Sequence, residues 1–223
     1  MLIPYEIETL MDRRPWANWL IITACVIVSA AAWTQHLPEA VVDQMVLHEW
    51  SITGLIGHQL LHSGMMHLLG NMIFLWVFGN ALCANTSNWL YPILFFSCGT
   101  VAGAVHLWMD GNPAIGASGA VNGIVGLILA MYPVNRVSMF WWFFIVRATT
   151  FTVRAYLVIL FWFAFDLWGA LAHGGSVAYW AHVGGLLFGL TLGLVGLQLG
   201  LLRTTEWDNE TLLELLKGQR REV

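Results

Sequence analysis

Charge is what this chain of 223 residues has least of. Asp, Glu, Lys and Arg make up 10% of it, where a soluble domain carries roughly a quarter, and the deficit excludes a globule covered by water on all sides. The nine Lys and Arg form no basic stripe, which argues against a nucleic-acid partner. Cysteine is scarce and odd in number. Cys25, Cys83 and Cys98 lie mostly in apolar runs and read as buried thiols, not as a disulfide framework or a metal cluster. His58, His62 and His67 are close in sequence, but they lack an HExxH pattern and a carboxylate at ligand spacing, so no metal is expected. Arg13-Arg14 precedes an apolar run, yet no small-residue cleavage site of the Ala-x-Ala kind follows, so no cleavable signal peptide is expected. Repeats and low-complexity tracts are also missing.

What is present is apolar: 58% of the residues, enough for six or seven membrane helices and no separate soluble domain. Apolar runs at about Trp16–Trp33, Met66–Leu82, Trp89–Trp108, Ser118–Pro133, Phe151–Ala172 and Ala178–Leu202 predict six spans. The basic residues support that count. Arg13 and Arg14 precede the first span, Arg136, Arg147 and Arg154 lie between the fourth and fifth, and Arg203, Lys217, Arg220 and Arg221 follow the sixth. All nine thus share one side, which the positive-inside tendency makes cytoplasmic, together with both termini.

The expected fold class is an all-α membrane protein. It comprises a cytoplasmic N-terminal segment (1–15), a six-helix membrane domain (16–202) and a cytoplasmic tail (203–223). The connection 34–65 is long and apolar, with Val41, Val42, Trp50, Ile52 and Ile56, and is expected to lie partly in the outer interface. Val137–Val146 is too short to span and reads as an interfacial segment on the inner side. Glu206–Leu216 reads as a short amphipathic helix.

Against this background a few polar residues stand out. Ser118 sits between glycines in Gly116-Ala117-Ser118-Gly119, and His182 opens the last apolar run. The fourth run is short: about 15 residues give ~23 Å against a hydrocarbon layer of ~30 Å, which puts Ser118 below the outer surface. The irregular backbone before it is then tolerated only where protein buries it or water reaches it. With the amino terminus inside, the second, fourth and sixth spans all start at the outer face. His67 and Asn71, Ser118, and His182 therefore reach similar depth, where polar groups are costly and functional by default.

Each residue suits a role in acyl transfer. Ser118 is the candidate nucleophile, and His182 the base that takes its proton and returns it to the leaving amine. His67 and Asn71, at i and i+4, share a helical face and can direct donors at an oxyanion, as can the Ser118 backbone N–H. Gly119, Gly123 and Gly126 in the fourth span and Gly185, Gly189 and Gly193 in the sixth have the small-x-x-x-small spacing that lets helices approach closely. His58 and His62 read as structural donors, and His106 and His173 as span-end residues without a function. Asp166, the sole acid within the spans, reads as an interfacial or hinge residue rather than an orienter of His182.

Taken together, these residues resemble the rhomboid family of intramembrane serine proteases. The likeness rests on His58-x-x-x-His62-x-x-x-x-His67-x-x-x-Asn71 in the second helix, Gly116-Ala117-Ser118-Gly119 in the fourth, and His182-Val183-Gly184-Gly185 in the sixth. The resemblance implies a Ser118–His182 dyad without an acidic member and an oxyanion site of Asn71, His67 and the Ser118 amide. It further implies a membrane-embedded first loop, lateral entry of a substrate helix past helix five, and no cofactor. Three positions depart from the usual pattern. Trp50-Ser51 stands where many members have Trp-Arg, Cys83 where a Glu is common, and Asn122 where an aromatic often stacks under the histidine; Asn122 falls on the Ser118 face, where it could orient His182 by hydrogen bonding. The expected function is an endopeptidase cutting transmembrane protein substrates within the lipid bilayer of a prokaryotic plasma membrane. The alternatives are a non-catalytic binder of transmembrane helices and a proton-coupled transporter, the latter disfavoured by the absence of inverted repeats.

Overall fold

The computed structural model describes residues 2–143, 147–172, 177–205 and 208–219. Helices dominate. Four are long and apolar enough to cross a membrane: α1 (Trp16–Trp33), the continuous helix Met65–Asn85, α6 (Leu90–Met109) and α9 (Tyr179–Gln198). Met65–Asn85 is built of α4 (Met65–Phe74), a π-helical turn (Leu75–Gly79) and α5 (Asn80–Asn85). Two further apolar helices are shorter, α7 (Ser118–Met131) and α8 (Ala155–Leu171). The connection after α1 holds α2 (Glu39–Met45), α3 (Ile52–Gly57) and a 3-10 turn at His58–Leu60. Ser51 caps α3 by accepting the Gly54 N–H at 3.1 Å, so the departure at this position has a local use. The amphipathic tail helix is shorter than expected. It is α10 (Leu212–Leu216), started by a capping box between Thr211 and Glu214, and Glu206 lies outside the described residues.

α7 is the central helix. Every residue of it from Gly119 to Met131 is buried except Asn122, which is partly exposed, as is Ser118 at its start. It packs most closely on α9. A methyl group built on Gly185 or Gly189 would collide with the carbonyl oxygens of Gly119 and Gly123, and one on Gly126 with the carbonyl of Leu186. Here the absence of side chains lets two backbones touch. A buried polar knot ties the other helices together. Asn18 on α1 donates to the Leu75 carbonyl and to Asn80 Oδ1, both at 2.8 Å, and accepts from the Tyr91 hydroxyl of α6 at 2.5 Å. Cys83, which stands where a Glu is common, donates to Asn88 Oδ1 at 3.3 Å.

The all-α expectation needs correction. A three-stranded antiparallel sheet joins β1 (Leu2–Ile7), β2 (Arg136–Phe143) and β3 (Arg147–Arg154) in the order β1-β2-β3. Thus the described part of the segment read as interfacial between the fourth and fifth spans is strand β2, paired with β3, and the N-terminal segment supplies the third strand. The composition explains the pairing: Val137, Thr149, Thr150, Thr152 and Val153 are β-branched, and Phe140, Trp141 and Phe151 aromatic. Alternation places Val137 and Met139 in the core. α8 then begins only at Ala155, later than the expected Phe151.

Candidate active site

Ser118 is the first residue of α7, so its backbone N–H has no partner within the helix. The loop before it is held at three points. Leu47 and Ala114 exchange backbone hydrogen bonds at 3.0 and 2.9 Å, the Gly116 N–H donates to the His58 carbonyl at 2.8 Å, and the Ala117 N–H donates to His62 Nε2 at 3.5 Å. His62 completes a relay. Its Nδ1 lies 3.0 Å from the Ser29 hydroxyl, which donates to the Leu60 carbonyl. In this chain His62 must be neutral, with its proton on Nδ1, and burial together with the nearby His67 ring pushes its pKa down to about 4. His58 is likewise pushed down to about 4, by burial, while Nδ1 donates to the Gly54 carbonyl at 2.8 Å. Both histidines lie ahead of α4 rather than within the second helix. They act as the structural donors the sequence suggested.

His67 and Asn71 are on α4, one turn apart. The Ser63 N–H reaches His67 Nδ1 at 3.4 Å and the Ser63 hydroxyl lies 3.0 Å from it. A backbone N–H can only donate, so Nδ1 accepts and Nε2 carries the ring proton. That edge of the ring faces Gly116, whose φ of +130° suits only glycine and whose added methyl would lie 2.7 Å from His67 Nε2. Asn71 uses one amide hydrogen on the His67 carbonyl at 3.0 Å and keeps the other.

His182 lies in the first turn of α9, next to Ala181, which touches Gly119. The glycine seam therefore carries Ser118 and His182 toward each other from both sides. No hydrogen bond joins them among the described residues; such contacts commonly tighten only when substrate binds. His182 Nδ1 is engaged instead by Asp166 Oδ1 of α8, at 3.0 Å. Asp166, read from the sequence as an interfacial or hinge residue, is thus in contact with His182. Asn122 makes no hydrogen bond to His182 among the described residues; its amide donates to the Ser118 carbonyl one turn back, at 3.0 Å.

Two cavities meet at these residues. One, of about 320 Å³, is mostly apolar and is lined by Met66, Phe74, Trp162 and Phe165 together with His67, Asn71, Ser118, Asn122, Asp166 and His182. The other, of about 740 Å³, is more polar and includes Ser63, His106, Asp110 and Asn112. Ser118, His67 and His182 line both. Ser118 thus stands between an apolar and a polar cavity.

A model of the rhomboid domain matches residues 49–199, more than half of the chain. The chain belongs to the rhomboid family. It is also 28% identical over 148 residues to Rhomboid protein 1, mitochondrial, of Saccharomyces cerevisiae. That match covers 62% of this chain and 40% of the yeast protein, so the chain spans less than half the length of that relative. Every site residue from His58 to Gly185 falls inside the rhomboid match, whereas β1 and α1 lie outside it. Asp166, inside the match, is the residue that reading the sequence missed as a site member. Its signal was present: the sole acid of the spans, three residues before Gly169, facing a helix that carries Tyr179 three residues before His182. His173 lies outside the described residues.

Proposed function

We propose that this rhomboid-family protein is an intramembrane serine endopeptidase that cuts transmembrane or juxtamembrane segments of other membrane proteins. The observation that carries the reading is the convergence of Ser118, His182 and His67 on the junction of an apolar and a polar cavity, with Asn71 lining the apolar one. In the reaction, Ser118 Oγ attacks the scissile carbonyl carbon while His182 Nε2, the nitrogen not held by Asp166, removes its proton. The developing oxyanion meets the Ser118 N–H, His67 Nε2–H and the spare amide hydrogen of Asn71. One such donor is worth roughly 3–4 kcal/mol in other hydrolases. His182 then protonates the leaving amine, and water from the polar cavity hydrolyses the acyl-enzyme.

All six apolar helices cross the bilayer in this reading, with both termini and all nine basic residues on the cytoplasmic side of a prokaryotic plasma membrane. The substrate helix enters sideways between α4 and α8, past Phe74, Trp162 and Phe165. It must unwind there, because a helix hides its carbonyls, so helix-weakening and small residues are expected near the cut. No metal or cofactor takes part.

A competing reading, a non-catalytic binder of transmembrane helices, draws on the missing hydrogen bond between Ser118 and His182. The deciding experiment incubates purified protein in liposomes with a model transmembrane substrate. Cleavage by the wild type and its abolition in Ser118→Ala and His182→Ala are expected, with fluorophosphonate labelling confined to Ser118. Cleavage that survives Ser118→Ala sinks the nucleophile assignment. A wild type that neither cleaves nor labels favours the binder.

A further inference from the structure

We infer that Asp166 is a positioning residue for His182, supplied by α8, so that the catalytic base is held by a carboxylate from the helix flanking the apolar cavity. The inference deepens the protease reading and rests on it.

The register of the two helices leads to this pairing. On α8, Asp166 and Gly169 are three residues apart and share a face; on α9, Tyr179 and His182 do the same. A methyl built on Gly169 would lie 2.6 Å from the Tyr179 ring, so Gly169 lets that ring seat directly on α8. Because the helices connect in sequence and run antiparallel, seating Gly169 against Tyr179 brings Asp166 opposite His182. The result is the 3.0 Å contact between Oδ1 and Nδ1, with both side chains about 15% exposed. The Tyr179 ring also meets the His182 ring edge to face at 6.2 Å, which limits its swing. Contact with a carboxylate, an acceptor when ionised, requires the proton on His182 Nδ1 and leaves Nε2 as the free base. The same carboxylate stabilises the imidazolium that forms when Ser118 is deprotonated.

Other charged or titratable groups face His182 as well: His67 from α4, and His106 and Asp110 from the end of α6 across the polar cavity. Among the described residues only Asp166 makes a hydrogen bond to the ring. Asn122 directs its hydrogen bond to the Ser118 carbonyl and makes none to His182 among the described residues.

The test uses the full chain in detergent or liposomes, with 15N-labelled histidine. In the wild type the His182 spectrum is expected to show a protonated Nδ1 and an unprotonated Nε2. In Asp166→Asn that preference is lost and kcat falls about tenfold or more with little change in KM. Asp166→Glu restores part of the rate. Gly169→Val, which pushes α8 away while keeping the carboxylate, gives the same loss of tautomer preference. If the wild type cleaves, Ser118→Ala does not, and Asp166→Asn matches the wild type in kcat and tautomer, the inference is overturned while the protease reading stands. A wild type without cleavage or labelling ends the protease reading. The His182 spectrum then still decides the pairing: a proton found on Nε2, or a tautomer indifferent to Asp166→Asn, overturns it.

Discussion

The seam between α7 and α9 and the opening between α4 and α8 border the same site but are built from opposite materials. The seam is made of glycines that bring backbones together: a methyl on Gly185 or Gly189 collides with the Gly119 or Gly123 carbonyl and one on Gly126 with that of Leu186, while Gly193 makes room for Ala130, and Gly119 and Gly123 for Ala102 and Cys98 of α6. The opening is made of large rings, with Phe74 and Trp162 centred 4.8 Å apart and tilted, and Phe165 largely exposed beside them. Backbone contact leaves nothing to rearrange, so the seam fixes Ser118 relative to His182. Rings on rotatable bonds leave a 320 Å³ cavity and can swing. Rigidity and freedom to move are thus assigned to different helix pairs, and His182 is gripped on both sides, by the seam through its backbone and by α8 through Asp166.

The sharpest way to break this comparison is Gly189→Leu. Its side chain has to displace the Gly123 carbonyl, with no rotamer to relieve the clash, and the expected loss is about 3 kcal/mol or more. Thermal unfolding in detergent should drop accordingly and fluorophosphonate labelling of Ser118 should disappear. A variant that melts and labels like the wild type would show the seam to be slack. The opening should behave otherwise. The double variant Phe74→Ala, Trp162→Ala removes a ring pair worth about 0.5–1.5 kcal/mol beyond its burial, so stability falls moderately. Cleavage of a bulky transmembrane substrate should hold or rise, since the entrance widens. If turnover falls in step with stability, those rings are scaffold and the opening lies elsewhere.

The seam was legible in the sequence and the sheet was not, for a physical reason. Glycine spacing is a local pattern, and its consequence, close helix approach, follows wherever the helices meet; Gly185 and Gly189 therefore pointed to His182 and Ser118 before any coordinates. Strand pairing is non-local. Nothing near Leu2 announces that its partner is Trp141, and the apolar composition of Val137–Val146 suits a membrane interface as well as a sheet. Asp166 failed for a related reason. Its partner depends on which turns of α8 and α9 oppose each other, and Gly169 sets that register only once Tyr179 is known to sit on it. Asn18 reads as an isolated polar residue in the first span, yet it joins three helices through Leu75, Asn80 and Tyr91.

A smaller effect separates the seam, which has no titratable group among its six glycines, from the loop that presents Ser118, which hangs on neutral histidines. His58 and His62 titrate near 4 in the fold and near 6.5 in an unfolded chain. Between those values the unfolded state binds more protons, so stability is full above about pH 6.5 and is lost progressively as pH falls toward about 4. His62→Gln keeps a donor and an acceptor but cannot titrate. It should start less stable at neutral pH, because the relay from Ala117 to Ser29 is imperfectly replaced, yet lose less on acidification than the wild type. The difference between the two melting-temperature profiles isolates the histidine. Parallel profiles would mean that His62 does not hold the loop before Ser118 through its neutral form, and that the loop, like the seam, is fixed by backbone contacts alone.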